Sequence, residues 1–439
     1  MTVTGKIVVY GEPDAGAVEQ IKRCVEAGDA IKGVLCADHH LGYSQPIGGA
    51  VAYEDKISPS GVGYDIACGN KAVRTNLRAA DVPIAGVMDE IVDRISFGMG
   101  RKNKEPVDHA VFDSIREASF EPQRRLLDSA AAQLGTVGAG NHYVDLFEDE
   151  EGWLWVGVHF GSRGFGHKTA SGFLALAQGK SFTEHASGGE MHSPPVLFDI
   201  NTDLGAAYID AMNLAGEYAY AGRDVVVDKV LEILGGEETH TVHNHHNFAW
   251  RENHFGRDVW VIRKGCTPAF PGQEGFVGAS MSEPAVILEG VDSDNSREAM
   301  FSTVHGAGRV MSRTQAAGKM GTVAECTERN CSNFVSWRQY QAEKPEHERF
   351  TLCVDHPEGR MKKQRRRIKE GLIDFAEVQR EMRSLGIELR GAAADEAPGA
   401  YKRLGEVLAA HEGQVVVKHR LRPLGVAMAG PDVIDPYKD

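Results

Sequence analysis

The chain has no basic excess. Its 439 residues carry 48 Lys and Arg against 62 Asp and Glu, a formal net charge of −14. That balance excludes a broad non-specific nucleic-acid surface, which clustered cations would have to build, but leaves room for a local basic groove. Nor is there an apolar run free of charge. The most apolar long stretch, 204–234, holds Asp210, Glu217, Arg223, Asp224, Asp228 and Lys229 and reads as a soluble helix, so no membrane partner is expected. The opening MTVTGKIVVYGEPDAG has no basic segment followed by an apolar one, so no secretory leader is expected. Cysteine is sparse and odd in number, with seven residues in no regular framework. A reducing, cytoplasmic setting fits that usage. Cys326 and Cys331 stand too isolated to read as a zinc site. There is no internal repeat and no low-complexity linker.

What is present is ordinary globular material. Hydrophobic residues make up 42% of the chain and charged residues 25%, enough for a sizeable core. Glycine, at 50 residues, concentrates in short loops that also hold His, Ser, Arg and Asn, where polar chemistry needs close backbone approach. KIVVY predicts a strand, Ala17 to Ala27 a helix, and VLCADHH a buried strand running into a loop. Residues 110–134 have helical spacing, and 204–234 one or two helices. LWVGVHFGS (154–162) predicts a strand ending in a Gly/Ser/Arg loop. TVHNHHNFAW (241–250) and DVWVIRKG (258–265) predict two strands joined by a polar turn. Helices are expected over 370–386 and 395–410, and a strand over 419–430. The recurring grammar is strand, Gly-rich loop with a His, then helix. It predicts an α+β (mixed α/β) fold in one compact catalytic domain with insertions, and residues 180–200 as a surface excursion.

The chemistry sits in those loops. GVGYDIACGN (61–70) places Asp65 and Cys68 three apart, so that a carboxylate and a thiolate can face one centre and the thiolate can bridge two metals. A tight turn over a buried Cys is the commoner outcome for such a pair. GTVGAGNHYVDL (135–146) delivers Asn141 and His142 to a strand. VGVHFGSRGFGH (156–167) brings His159 to a strand end, followed by Arg163 in a loop suited to an anion. In HNHHNF (243–248), alternation puts His243 and His245 on one strand face and His246 on the other, so one or two of them are expected to support ligands. RKGCTPAFPGQEGFVGASM (263–281) reads as a lid or phosphate-approach segment. HGAGRVMSR (305–313) reads as the opening of a helix, with Gly306, Ala307 and Gly308 at an anion-binding N-terminus and Arg309 and Arg313 on one face. Each loop alone also fits an ordinary turn. Together they point to metal and phosphate chemistry around Asp65, Cys68, His142, His159, His246 and His305.

Taken with HHLGYSQPIGG, DEAPGAYK and the RLRPLG strand, these strings resemble the RtcB family of RNA-splicing ligases over about residues 35–430. The resemblance implies a family-specific αβ fold, GTP and two Mn²⁺ ions. It implies a ligase that joins RNA 2′,3′-cyclic phosphate or 3′-phosphate ends to 5′-hydroxyl ends in RNA repair or tRNA processing. RNA ends and GTP are then the partners, with an archease-like activator as a further one. By motif matching, His305 would carry the guanylate. One Mn²⁺ would use Asp65, Cys68 and His142, the other Cys68, His159 and His246. The nucleotide pocket would include Asn141, Asp145, Asn247, Ser280, Gly306, Ala307, Gly308 and Tyr401, with Arg163, Arg309 and Arg313 toward phosphate or RNA.

The resemblance also marks departures. Asp145 stands where the family has Glu, Ala285 where a small hydroxylated residue is usual, and Ala429 where a terminal Lys meets the nucleotide. The chain then continues as an extension, 431–439. Each lost base contact costs about 1–3 kcal/mol, so weaker or altered nucleotide preference is expected. The one strongly basic run, GRMKKQRRRIKE (359–370), reads either as a solvated helix face or as an RNA backbone contact. Two other functions fit the same residues: a metal-dependent cyclic phosphodiesterase that does not need His305 as nucleophile, and an RNA-end-binding protein without catalysis.

Overall fold

A computed structural model describes the chain except residues 187–190, 344–352, 354, 357–359, 432 and 434–439. The fold is mixed α and β, as the alternating grammar predicts. Apolar strands Ile7–Val9 and Lys32–His40 pair in parallel across the helix Ala15–Ala27, whose first turn is capped by Asp14 accepting from the Ala17 amide at 2.7 Å. They belong to a six-stranded sheet in the order Thr2–Thr4, Ile7–Val9, Lys32–His40, Ile47–Tyr53, Arg257–Lys264, Asn247–His254. A second, eight-stranded sheet runs Glu238–His245, Gly69–Arg78, Trp153–Phe160, Tyr143–Glu148, Val415–Met428, Ala285–Gly290, Glu274–Val277, with Glu388–Arg390 also pairing on Val415–Met428.

The 204–234 stretch is one helix, Asp203–Leu234, capped by Thr202 at its start and ended by Gly235 in the left-handed conformation. It lies along Gly69–Arg78 and Trp153–Phe160, and its apolar side chains fill the cores on that side of the sheet. No described helix is long and apolar enough to cross a membrane.

Several local expectations give way to tertiary packing. Residues 110–134 form three short helices, Val111–Glu117, Glu121–Arg124 and Leu127–Gln133. Ala118 turns extended at ψ 134°, and Phe120 swings onto Phe173, ring centroids 4.8 Å apart. Residues 241–250 are not one strand: the ladder breaks at His246, and the chain passes there from the eight-stranded to the six-stranded sheet. Of 395–410, only Leu404–Ala409 is α-helical, after two 3-10 turns around Pro398. Of 370–386, Phe375–Ser384 is helical, capped by Asp374. The basic run is a strand, Met361–Lys369, paired with Lys319–Cys326 in a three-stranded arm with Phe334–Ser336. Within 180–200, Phe198–Asp199 pairs with Lys56–Ile57 and the Val196 amide donates to Ser60 at 2.8 Å, so this end is tied to the body. The 431–439 extension lies almost wholly outside the described residues.

Candidate metal centre and active-site cavity

Antiparallel order explains why distant motifs meet. Gly69–Arg78 and Tyr143–Glu148 begin at the edge of the eight-stranded sheet where Trp153–Phe160 and Glu238–His245 end, with Gly69 opposite both Phe160 and His245. The loops before the first two strands carry Asp65, Cys68, Asn141 and His142. His159 lies opposite Asn70 and Tyr143, and His246 follows at the seam. The backbone closes the seam, since His246 donates its amide to the Cys68 carbonyl at 2.8 Å. Gly161 permits the approach: a Cβ there would collide with the Asp65 carboxylate.

Two donor triads result, Asp65–Cys68–His142 and Cys68–His159–His246, each with its ligand atoms within 4.8 Å of one another and with Cys68 in common. The Cys68 sulfur is 3.6 Å from His142 Nε2 and 3.4 Å from His159 Nε2, and His142 Nε2 is 3.0 Å from Asp65. Asn70, absent from the sequence reading, accepts from His159 Nδ1 at 2.5 Å and so turns Nε2 toward the thiol. Burial holds the His159 and His246 imidazoles well below their usual range, with His305 nearby adding to this in both cases, so both are neutral and free to ligate. Burial opposes ionisation of Asp65, but His142 outweighs it and brings the carboxyl down to about 2. Burial and the Asp65 charge push the Cys68 thiol up, the penalty that a cation would remove.

His305 stands beside the second triad, its ring 4.8 Å from that of His246. Its Nδ1 donates to Asp38 at 2.7 Å, and its own amide donates to the same carboxylate oxygen at 3.0 Å. Asp38 is wholly buried. Desolvation would raise its carboxyl, yet His305 holds it below the usual range. The result fixes the imidazole with Nε2 as its free nitrogen. The local sign of Asp38 is a carboxylate inside an apolar strand, because a buried charge needs a partner; no motif marks it.

Arg223 braces the seam from behind and was likewise read only as a charge in a helix. Fully buried, it donates to His243 at 2.8 Å, His245 at 2.9 Å, and the carbonyls of Ala67 and Phe160 at 3.0 and 2.6 Å. His243 and His245 therefore share a face and support the turn that carries Cys68, while His246 faces the thiol, as alternation suggested.

The six Asp, Cys and His positions, the residues matched to the nucleotide pocket, and Arg163, Arg309 and Arg313 all line one cavity of about 890 Å³. Their partners revise several expectations. Residues 305–312 are not helical; the next helix, Arg313–Ala317, starts only at Arg313. Arg309 and Arg313 thus share no helix face but converge on the buried Glu396, at 3.4 and 3.5 Å, while Tyr401 accepts from Arg309 at 2.9 Å and donates to Glu396. Gly308, at φ +76°, lies where a Cβ would strike the Asp38 carbonyl. Arg163 opens the helix Arg163–Leu176 instead of a loop and bonds Thr136 and the Gly98 carbonyl at 3.2 and 2.9 Å. Asn247 ties the Asp65 carbonyl to the Gly265 amide, at 3.4 and 2.7 Å. Arg263 and Lys264 are buried strand residues, Arg263 paired with Glu252 at 2.6 Å, so the start of 263–281 is scaffold and not a lid. Asp145 Oδ1 and Ser280 Oγ are buried without a hydrogen-bond partner, and burial pushes the Asp145 carboxyl well above the carboxylate range. Ala285 packs with Phe147, Trp155 and Phe276 in the core, so it makes no nucleotide contact, and the cavity wall is formed by Val426 and Met428, not Ala429.

The model of the family described as tRNA-splicing ligase RtcB matches residues 20–344, a span that holds both triads, Asp38 and His305. The chain belongs to the RtcB family. It is 32% identical to the RNA-splicing ligase RtcB of Escherichia coli strain K12 over 64% of this chain and 74% of that one. It is 28% identical to the tRNA-splicing ligase RtcB of Thermococcus kodakarensis over 90% of this chain and 87% of the other. Tyr401, Glu396 and the Val426–Met428 wall lie beyond the span matched by the RtcB model.

Proposed function

We propose that the chain is a GTP-dependent RNA ligase that joins 2′,3′-cyclic phosphate or 3′-phosphate RNA ends to 5′-hydroxyl ends in tRNA processing or RNA repair in the cytoplasm. The observation that carries this reading is His305, held through Nδ1 by a buried Asp38 beside two donor triads that share one thiol. A phosphodiesterase has no need of a covalent nucleophile aligned in this way. In the proposed sequence, a cyclic end is first hydrolysed to the 3′-phosphate. His305 Nε2 then attacks the α-phosphorus of GTP, a P–N bond forms and pyrophosphate leaves. The RNA 3′-phosphate next takes the guanylate and frees His305. The 5′-hydroxyl finally attacks the 3′-phosphorus and GMP leaves. The Nδ1 proton stays on the His305 ring throughout, and the Asp38 carboxylate that accepts its hydrogen bond stabilises the cationic ring formed with the P–N bond.

The residues fit two divalent cations: Asp65, Cys68 and His142 would hold one, and Cys68, His159 and His246 the other. Bound there, cations would neutralise the phosphate charge that builds up during transfer. Mn²⁺ follows from the family; the Cys/His donors by themselves favour Zn²⁺. Asp145 and Ser280 support a nucleotide pocket, since a guanine edge brings the N–H donors that their unpaired buried oxygens lack. Asn141, Asn247, Gly306, Ala307, Gly308 and Tyr401 would complete it, with Arg163, Arg309 and Arg313 shaping its phosphate side. The strand Met361–Lys369 is the proposed contact for the RNA backbone.

Incubation with Mn²⁺ and labelled GTP, followed by denaturing gel analysis, tests the reading. Wild type should form an acid-labile adduct and ligate ends, and His305→Ala should do neither. Metal-dependent opening of cyclic phosphate with no adduct from any nucleotide would replace the ligase reading with the phosphodiesterase one.

A further inference from the structure

Far in sequence from the seam, the three-stranded arm carries a second cluster of soft donors. Cys326 ends the strand Lys319–Cys326, Cys331 follows in a turn, and the chain returns with Cys353 and His356 before Met361–Lys369. The four ligand atoms lie within 4.8 Å of one another. Cys331 and Cys353 sulfurs are 3.6 Å apart, and His356 Nδ1 is 3.8 Å from Cys326 and 3.6 Å from Cys353. A disulfide would need about 2.05 Å, and no disulfide joins these cysteines. Tetrahedral zinc, with bonds of about 2.3 Å to sulfur and 2.0–2.1 Å to nitrogen, sets its ligand edges at about 3.8 Å for S···S and about 3.6 Å for S···N. These three separations lie within about 0.2 Å of those edges.

The surroundings fit a structural site. Asn333 donates to the Cys353 sulfur at 3.5 Å and to Asp355 at 2.6 Å, the kind of second contact that orients a ligand. Four protein ligands close the coordination sphere, whereas each triad at the seam supplies three. The arm also needs a staple. Among the described residues, none of its side chains joins a hydrophobic core cluster, while Met320, Phe334 and Ile368 are exposed. Its outer strand sets Lys362, Lys363, Arg365, Arg366, Arg367 and Lys369 side by side. A sheet with so little core and so much like charge does not hold itself together. One Zn²⁺ with three thiolates and a neutral imidazole carries a net charge of −1, which also offsets part of that repulsion. Binding would release the three thiol protons. The sequence spacing, Cys-x4-Cys and Cys-x2-His, becomes one set only once Met361–Lys369 pairs with Lys319–Cys326 and brings the second pair beside the first.

We propose that Cys326, Cys331, Cys353 and His356 hold one structural zinc ion that folds the arm of residues 319–369 and fixes the basic strand Met361–Lys369. The test uses the full chain, purified under reducing conditions, with zinc measured by elemental analysis. Cys68→Ser removes the thiol common to the seam triads and should leave one tightly held zinc. Adding Cys326→Ser and Cys331→Ser should remove that zinc and speed tryptic cleavage within 360–369 about tenfold, with the rest of the chain still resistant. Cys331→His, which can still ligate, should keep the zinc. Unchanged zinc in the triple variant, or no zinc in Cys68→Ser with the arm thiols as reactive as exposed ones, would overturn the proposal. So would a Cys331–Cys353 disulfide in place of metal.

Discussion

The seam and the arm offer similar donors, thiol and imidazole, on opposite kinds of scaffold. At the seam a large sheet and a long helix hold part of the ligand set: Asn70 holds His159, and Arg223 holds the turn carrying Cys68. Its geometry is set before any cation arrives, which suits exchange of ligands during chemistry. In the arm the donors lie at the end of a small three-stranded sheet that joins no hydrophobic core cluster among the described residues, so a cation there serves folding. The same residue types thus become reactive or structural according to what else holds them.

The strongest break of this comparison is Asp38→Asn. It keeps the shape but presents the wrong hydrogen-bonding partner to His305 Nδ1. Nucleotide adduct formation should fall about 10³-fold, with seam metal content unchanged. Equal loss of metal would mean that Asp38 supports the scaffold and not the nucleophile. Next in size is Arg223→Met, which leaves two carbonyls and two imidazoles without their donor. Urea unfolding should show a loss of about 3–5 kcal/mol. Cys326→Ser with Cys331→Ser should leave the main unfolding transition unmoved; a joint shift would show that arm and body fold as one unit. A milder contrast is chelation: dialysis against EDTA should strip the three-ligand seam sites before the four-ligand arm site, read as metal retained per chain.

The smallest expected effect concerns the basic strand. Lys362, Arg365 and Lys369 are exposed, whereas Arg366 is tied to Glu325 at 2.6 Å. Changing the first three to Gln should weaken RNA binding about tenfold at low salt and flatten the salt slope by about 2, at roughly 0.7 per single-strand phosphate contact. Adduct formation should stay within about twofold of wild type. No change in RNA binding would return the strand to a solvated edge.

Much of the seam was legible because its signals are local. Glycine-flanked Asp65 and Cys68, His142 at a strand start and His159 at a strand end each announce a polar side chain at an exposed end of an apolar segment. Strand alternation also separated His246 from His243 and His245. The basic run escaped this reading because a uniformly charged segment has no apolar period; only its ladder with Lys319–Cys326 makes it a strand. Arg309 and Arg313 were placed on a helix by spacing alone, and the buried Glu396 draws them elsewhere.

The sequence by itself determined the chemical types in play, the strands that end in them, and the family. Tertiary structure alone decided which side chains act on one another. Asp38 reaches His305 across 267 residues, and Cys331 meets Cys353 across 22. Such pairings depend on sheet order and register, and these are settled by burying whole faces of the sheets. No local spacing records that choice.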